Sequence, residues 1–220
     1  MKSGTIKRWL QCLGVALGAL GLAGCAGLPT KGRVAGGRYQ SPMNNFSIAL
    51  PALSDAQVED RVEPEVNPIG GSVIFRAATG EFWLVDYMRL PEGFAARLNT
   101  PDKQDEAHRR YLARYALSGV DGASPQSAVV KEEALEADGA RAYFAVINIP
   151  EGSRLIDGKT NRRLDSVRGL LVFDRDGYMY MLGCEMNFAG HRVDAAELTD
   201  EQVKDAQATL ELMKGNMAFP

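Results

Sequence analysis

From Tyr39 onward, apolar side chains recur mostly at every second position, the spacing that lays one side of an extended strand against a core. Segment 46–50 (FSIAL) alternates in this way and stops at Pro51. Segments 73–76 (VIFR) and 81–90 (EFWLVDYMRL) flank Ala77 to Gly80, a connection with the residue chemistry of a hairpin, and Pro91 ends the second strand. Between Ala52 and Gly70 the chain is acidic, carries Pro64 and Pro68 and ends at the pair Gly70 and Gly71. That composition predicts a surface loop with room for a short strand.

The period changes after Asn99. Thr100 is a candidate N-cap, Pro101 suits the first helical position, and Asp102 lies near the positive end of the helix dipole. A helix is expected to about Leu117, burying Ala107, Tyr111, Leu112, Tyr115 and Ala116 while Arg109, Arg110 and Arg114 stay in water; Gly119 stands where a helix commonly stops. Strands resume at 128–136 and 141–149 around Asp138 and Gly139, and again at 166–173 and 178–186 around Asp174 to Gly177. A closing helix follows, capped either by Asp194 with Glu197 or by Thr199 with Gln202, and its stripe is Val203, Ala206, Leu210, Met213 and Met217.

In 141–149 both alternate sets are apolar, Tyr143, Ala145, Ile147 and Ile149 on one side and Phe144 and Val146 on the other. Strands of this kind are buried on both faces, so each face needs a cover. Successive hairpins and two helices therefore predict an α+β fold, a mainly antiparallel sheet sandwiched by helices. This order of elements, with Tyr39, Ser41, Pro42 and Phe46 ahead of Pro51, resembles the PsbP and Mog1-like fold of small bacterial envelope lipoproteins over residues 39 to 215. The resemblance implies a binding or assembly module and brings no catalytic residue with it.

The N-terminus has its own pattern. Lys2, Lys7 and Arg8 precede an apolar run from Trp9 to Ala23, which is interrupted by Gln11 and four glycines. Residues 1–24 thus have the layout of a secretory signal peptide, too short and glycine-rich for a spanning helix of about 20 residues. Leu22, Ala23, Gly24 and Cys25 resemble the lipobox of bacterial lipoproteins. That resemblance implies cleavage before Cys25, diacylglyceryl and palmitate on the new first residue, and a stable membrane anchor. Ala26, where inner-membrane retention would favour Asp, implies the outer membrane with the domain facing the periplasm. Residues 25–38 are rich in Gly and basic residues and read as a lipid-anchored tether, leaving 39–220 as a single domain.

Composition narrows the chemistry. In 220 residues there are 25 Lys and Arg against 28 Asp and Glu, and the signal peptide would remove three cations and no acid, so the mature chain is acidic and unsuited to nucleic acid. Of the 3 cysteines, Cys12 leaves with the signal peptide and Cys25 is lipidated, so Cys184 remains as a packed small hydrophobe. His108 and His191 have no His or Cys at helical ligand spacing, and both read as surface or helix-end residues, so neither a metal nor a cofactor is expected. The chain holds no Gly-x-Ser-x-Gly elbow and no glycine-rich phosphate loop; Ser118 and Ser153 fall in expected turns, and Asp174 to Gly177 read as a turn rather than a calcium loop.

Residues 150–165 (PEGSRLIDGKTNRRLD) form a polar connection longer than a hairpin needs, with Arg154, Lys159, Arg162 and Arg163 as candidate partner-binding cations for an envelope protein or anionic glycan. The expected function is a non-catalytic outer-membrane lipoprotein that binds an envelope component. Two rival expectations are an envelope hydrolase using acids such as Asp86 and Glu185, and a carrier of a small hydrophobic ligand suggested by Trp83, Met179 and Met181.

Overall fold

A computed structural model describes residues 31–50, 57–62, 70–76, 82–117, 126–153, 156–186, 196 and 198–220. The signal peptide, Cys25, most of the tether, Ser118, Arg154 and His191 lie outside these residues. Seven antiparallel strands form the main sheet: β4 (Gln57–Val62), β5 (Gly70–Arg76), β6 (Phe82–Arg89), β7 (Ala128–Ala137), β8 (Ala140–Ile149), β9 (Ser166–Arg175) and β10 (Tyr178–Glu185). Their lateral order is β4-β5-β6-β10-β9-β8-β7. A second sheet of four short strands runs β1 (Arg33–Ala35), β2 (Arg38–Gln40), β3 (Ser47–Ala49) and β11 (Met217–Ala218). Helix α1 (Pro101–Tyr111) continues as a π-helical segment, Leu112–Leu117, and helix α2 (Asp200–Gly215) precedes β11.

The turns are those the sequence specifies. Asp138 and Gly139 take φ of 51° and 68°, and Asp176 and Gly177 take 50° and 77°, the paired left-handed conformations of a two-residue hairpin. The second turn is therefore shorter than expected, and Asp174 belongs to β9 rather than to the loop. At the closing helix the Thr199 alternative forms: its hydroxyl accepts from Gln202 N while the Gln202 side chain accepts from Thr199 N, a complete capping box. Thr100 stands at the N-cap of α1 in extended conformation, and its side chain makes no capping hydrogen bond.

β4 is a short strand within the acidic 52–70 stretch, as that stretch left room for; an edge strand needs only one apolar side and tolerates charge, and Val58 supplies that side, in register with Phe75. The departure from expectation is that the chain enters the fold before Tyr39. β1 pairs with β2 around Gly36 and Gly37, at φ of 57° and 71°, and Gly32 N donates to the Asp60 carboxylate.

Side chains alternate between two cores. On one face Val73, Phe75, Val85, Phe144, Val146, Leu171, Phe173, Tyr180 and Leu182 pack under α2 and under Tyr39, Phe46 and Ile48 of the small sheet. On the other face Tyr143, Ala145, Ile147, Leu170, Val172, Met179 and Met181 meet Tyr111, Leu112 and Ala116. The protein is thus mainly antiparallel sheet with two helices. In place of a plain helix, sheet and helix sandwich, the face under α2 is shared between that helix and the small sheet, because Tyr39 of β2 and Phe46 just ahead of β3 bring aromatic rings to it.

Candidate functional site

Helix α1 is seated to one side of its face. Arg141 of β8 grips Asp105 through two parallel hydrogen bonds, Nε to Oδ1 at 2.7 Å and a terminal nitrogen to Oδ2 at 2.6 Å. Those bonds hold the Asp105 carboxyl below the usual aspartate range, against the opposing effect of burial. One turn later His108 Nε2 meets Asp174 Oδ1 of β9 at 2.9 Å. Both ties hold α1 over β8 and β9 and, among the described residues, leave the β6 and β10 end of the face without a helix packed on it to the same extent.

His108 corrects the sequence expectation. Its neighbours Arg109 and Arg110 suggest a wet face, yet position 108 precedes Tyr111 and Leu112 by three and four residues and so shares their stripe. It is fully buried, and its Nδ1 has no hydrogen-bond partner among the described residues.

The uncovered end is a groove of about 780 Å³ between α1, the end of β6 and the connection that follows it. Met88 and Met179 are register partners on β6 and β10 and form part of its apolar lining. Leu90, Phe94 and Leu98 complete that lining from the connection. Pro91 cannot continue the ladder, but Leu90 N still donates to Gly177 O at 2.7 Å, and a 3-10 turn at Ala95–Arg97 leads back to α1. Five cations line the same groove, Arg89, Arg97, Lys103, Arg110 and Arg114, against two acids, Asp102 and Glu106. Glu106 is already bound by Arg109 at 2.5 Å and Arg110 at 2.6 Å, which keeps its carboxyl below the ordinary glutamate range.

The expected candidate residues are scattered relative to this groove. In the 150–165 connection, Arg162 pairs with Glu151, and Asp157 accepts from the backbone N of Lys159 at 2.7 Å and of Thr160 at 3.3 Å. Lys159 and Arg163 are exposed, and the hollow beside Arg162 and Arg163 also contains Glu151, Asp157 and Asp165, so its two cations face three acids. Asp86 and Glu185 do not converge. Asp86 is opposite Met181, four residues from Glu185 along β10, a separation of about 13 Å at strand spacing. Glu185 is buried opposite Arg168, whose guanidinium lies 5.2 Å from the Phe82 ring and is pushed toward the neutral form by burial.

Met179 is the one member of the proposed carrier set that reaches the groove lining; Met181 is buried in the same core, and Trp83 packs against the opposite one. Cys184 is buried, and desolvation pushes its thiol up to about 12. Among the described residues no group of three or more His, Cys, Asp or Glu could hold a metal ion.

The groove was hidden from sequence reading because its lining comes from β6, the 91–98 connection, α1 and β10. The one local sign was the density of cations between Arg89 and Arg114.

No family model matches the chain, and no curated protein matches it. Among solved structures it is similar to cyanobacterial PsbP (CyanoP) from Synechocystis, at 14% identity over 91% of this chain and 99% of that one, with a TM-score of 0.47.

Proposed function

We propose that this chain is a lipid-anchored binding module of the bacterial outer membrane, facing the periplasm, and that the groove beside α1 is where it binds. We read its domain as a PsbP or Mog1-like α+β module, on the order of its hairpins and helices. The single observation that carries the binding reading is the groove itself, an apolar hollow of about 780 Å³ opened by the off-centre seat of α1. Volumes of this size are typical of sites that enclose a small molecule. The anchor is supported by Lys2, Lys7, Arg8 and the run ending at Cys25.

A photocrosslinking amino acid at Met88, in cells, tests the site. Specific adducts are expected from Met88 and not from Lys204, which is exposed on α2 across the sheet. Equal adducts from the two positions would reject the groove as the site. For the anchor, Cys25→Ala is expected to move the protein from the membrane fraction to the soluble one.

A further inference from the structure

We infer that the groove selects an anionic amphiphile with a single long apolar chain, the chemistry of a fatty acid; this rests on the groove being the binding site proposed above. Met88 and Met179 lie side by side in it, and unbranched thioethers adapt to a flexible chain better than branched side chains do. Phe94 and Met88 are only half buried, so apolar surface remains for a ligand to cover. An interface with a folded protein ordinarily needs about 800 Å² from each partner, whereas this hollow of about 780 Å³ has the size of a small-molecule site.

Charge supplies the selection. The whole chain carries a formal charge of −3, yet the groove gathers five cations and two acids. Glu106 is paired with Arg109 and with Arg110, itself one of the five, which leaves Arg89, Arg97, Lys103 and Arg114 in the groove against Asp102. The Lys103 ammonium donates to the neutral Asn99 Oδ1 at 3.0 Å, so that contact does not balance its charge. Arg89 and Arg97 are exposed at the mouth. A carboxylate headgroup would gain charge-assisted hydrogen bonds there, while its chain displaces water from the methionines. The wall needs no rearrangement, because the Arg141 and Asp174 ties already fix α1.

The test uses the full-length lipidated chain in phosphatidylcholine vesicles, labelled with a diazirine analogue of palmitate or with the matching hexadecanol analogue. The acid is expected to label the peptides containing Met88, Phe94 or Met179, about tenfold more efficiently than the alcohol, as one charge-assisted hydrogen bond supplies. In the Arg89→Gln, Lys103→Gln double variant, acid labelling is expected to fall toward that of the alcohol, whose own labelling should not change and so reports on folding. Equal labelling by acid and alcohol in the native chain would overturn the anionic selection while leaving the groove as a site. Absence of groove labelling by either probe would overturn both readings. A polypeptide captured at Met88 in cells that palmitate does not displace would overturn the fatty-acid assignment.

Discussion

The two faces of the main sheet are built from different side chains and finish differently. One is aromatic and closed: Phe46 lies 5.3 Å from Tyr87 and 5.9 Å from Tyr180, and Phe173 stacks on Tyr180 at 5.3 Å. Asn45 locks that cluster, its Nδ2 donating to the Tyr180 hydroxyl and its carbonyl accepting from it, each at 3.2 Å. Burial pushes the Tyr87 hydroxyl up to about 12. The other face is mainly aliphatic, covered by α1 over β8 and β9 and open over Met88 and Met179. Rigid rings with few rotamers fix one packing, whereas methionines fill irregular space and tolerate its change. A closed aromatic core and an open apolar surface are thereby divided between opposite sides of one sheet.

Substitutions can break this division, and the largest effect is expected on the closed face. Phe46→Ala should cost about 3–5 kcal/mol of unfolding free energy in urea titration, because it removes a fully buried ring packed against Tyr39, Tyr87 and Tyr180. A loss below about 1 kcal/mol would mean the aromatic face is not the rigid one.

Smaller effects are expected where the faces meet their helices. Asp105→Asn should cost about 1 kcal/mol at neutral pH, since it weakens the paired hydrogen bonds from Arg141 that seat α1. The Asp105 carboxyl is held below its ordinary value in the folded state, so this stabilisation is present above about pH 4, the unfolded aspartate value, and is lost as pH falls through the depressed one. Urea titrations from pH 7 downward should therefore show the largest difference between the two proteins at neutral pH and a narrowing one as the pH falls below the unfolded aspartate value. Thr199→Ala removes the capping box of α2, and a loss of about 1 kcal/mol is expected there with the open face undisturbed.

The smallest change in stability is expected at the groove. Met88→Ala trims a half-buried side chain and should shift the urea midpoint by less than about 1 kcal/mol of unfolding free energy, yet lower palmitate labelling severalfold. A large destabilisation with unchanged labelling would place Met88 with the structural core instead.

Element types and faces were readable along the chain because both are local. Alternation in RAYFAVINI announced a strand buried on two sides, Asp-Gly pairs announced the hairpins, and Thr199 with Gln202 announced the start of α2. For β4 the sequence left room for a short strand but not its bounds, because an edge strand with one apolar side blends into an acidic loop. His108 escaped because its flanking arginines masked a position that helical spacing assigns to the buried stripe.

Periodicity says which side of an element is buried, but not which element lies beside it. The pairing of β6 with β10, of β3 with β11, and the seating of α1 by Asp174 and Arg141 join residues far apart in the chain. Backbone ladder bonds are chemically alike in every strand, so lateral order follows from how all the apolar faces are buried at once. That collective solution, and no segment alone, sets Met88 next to Met179 and opens the cationic groove.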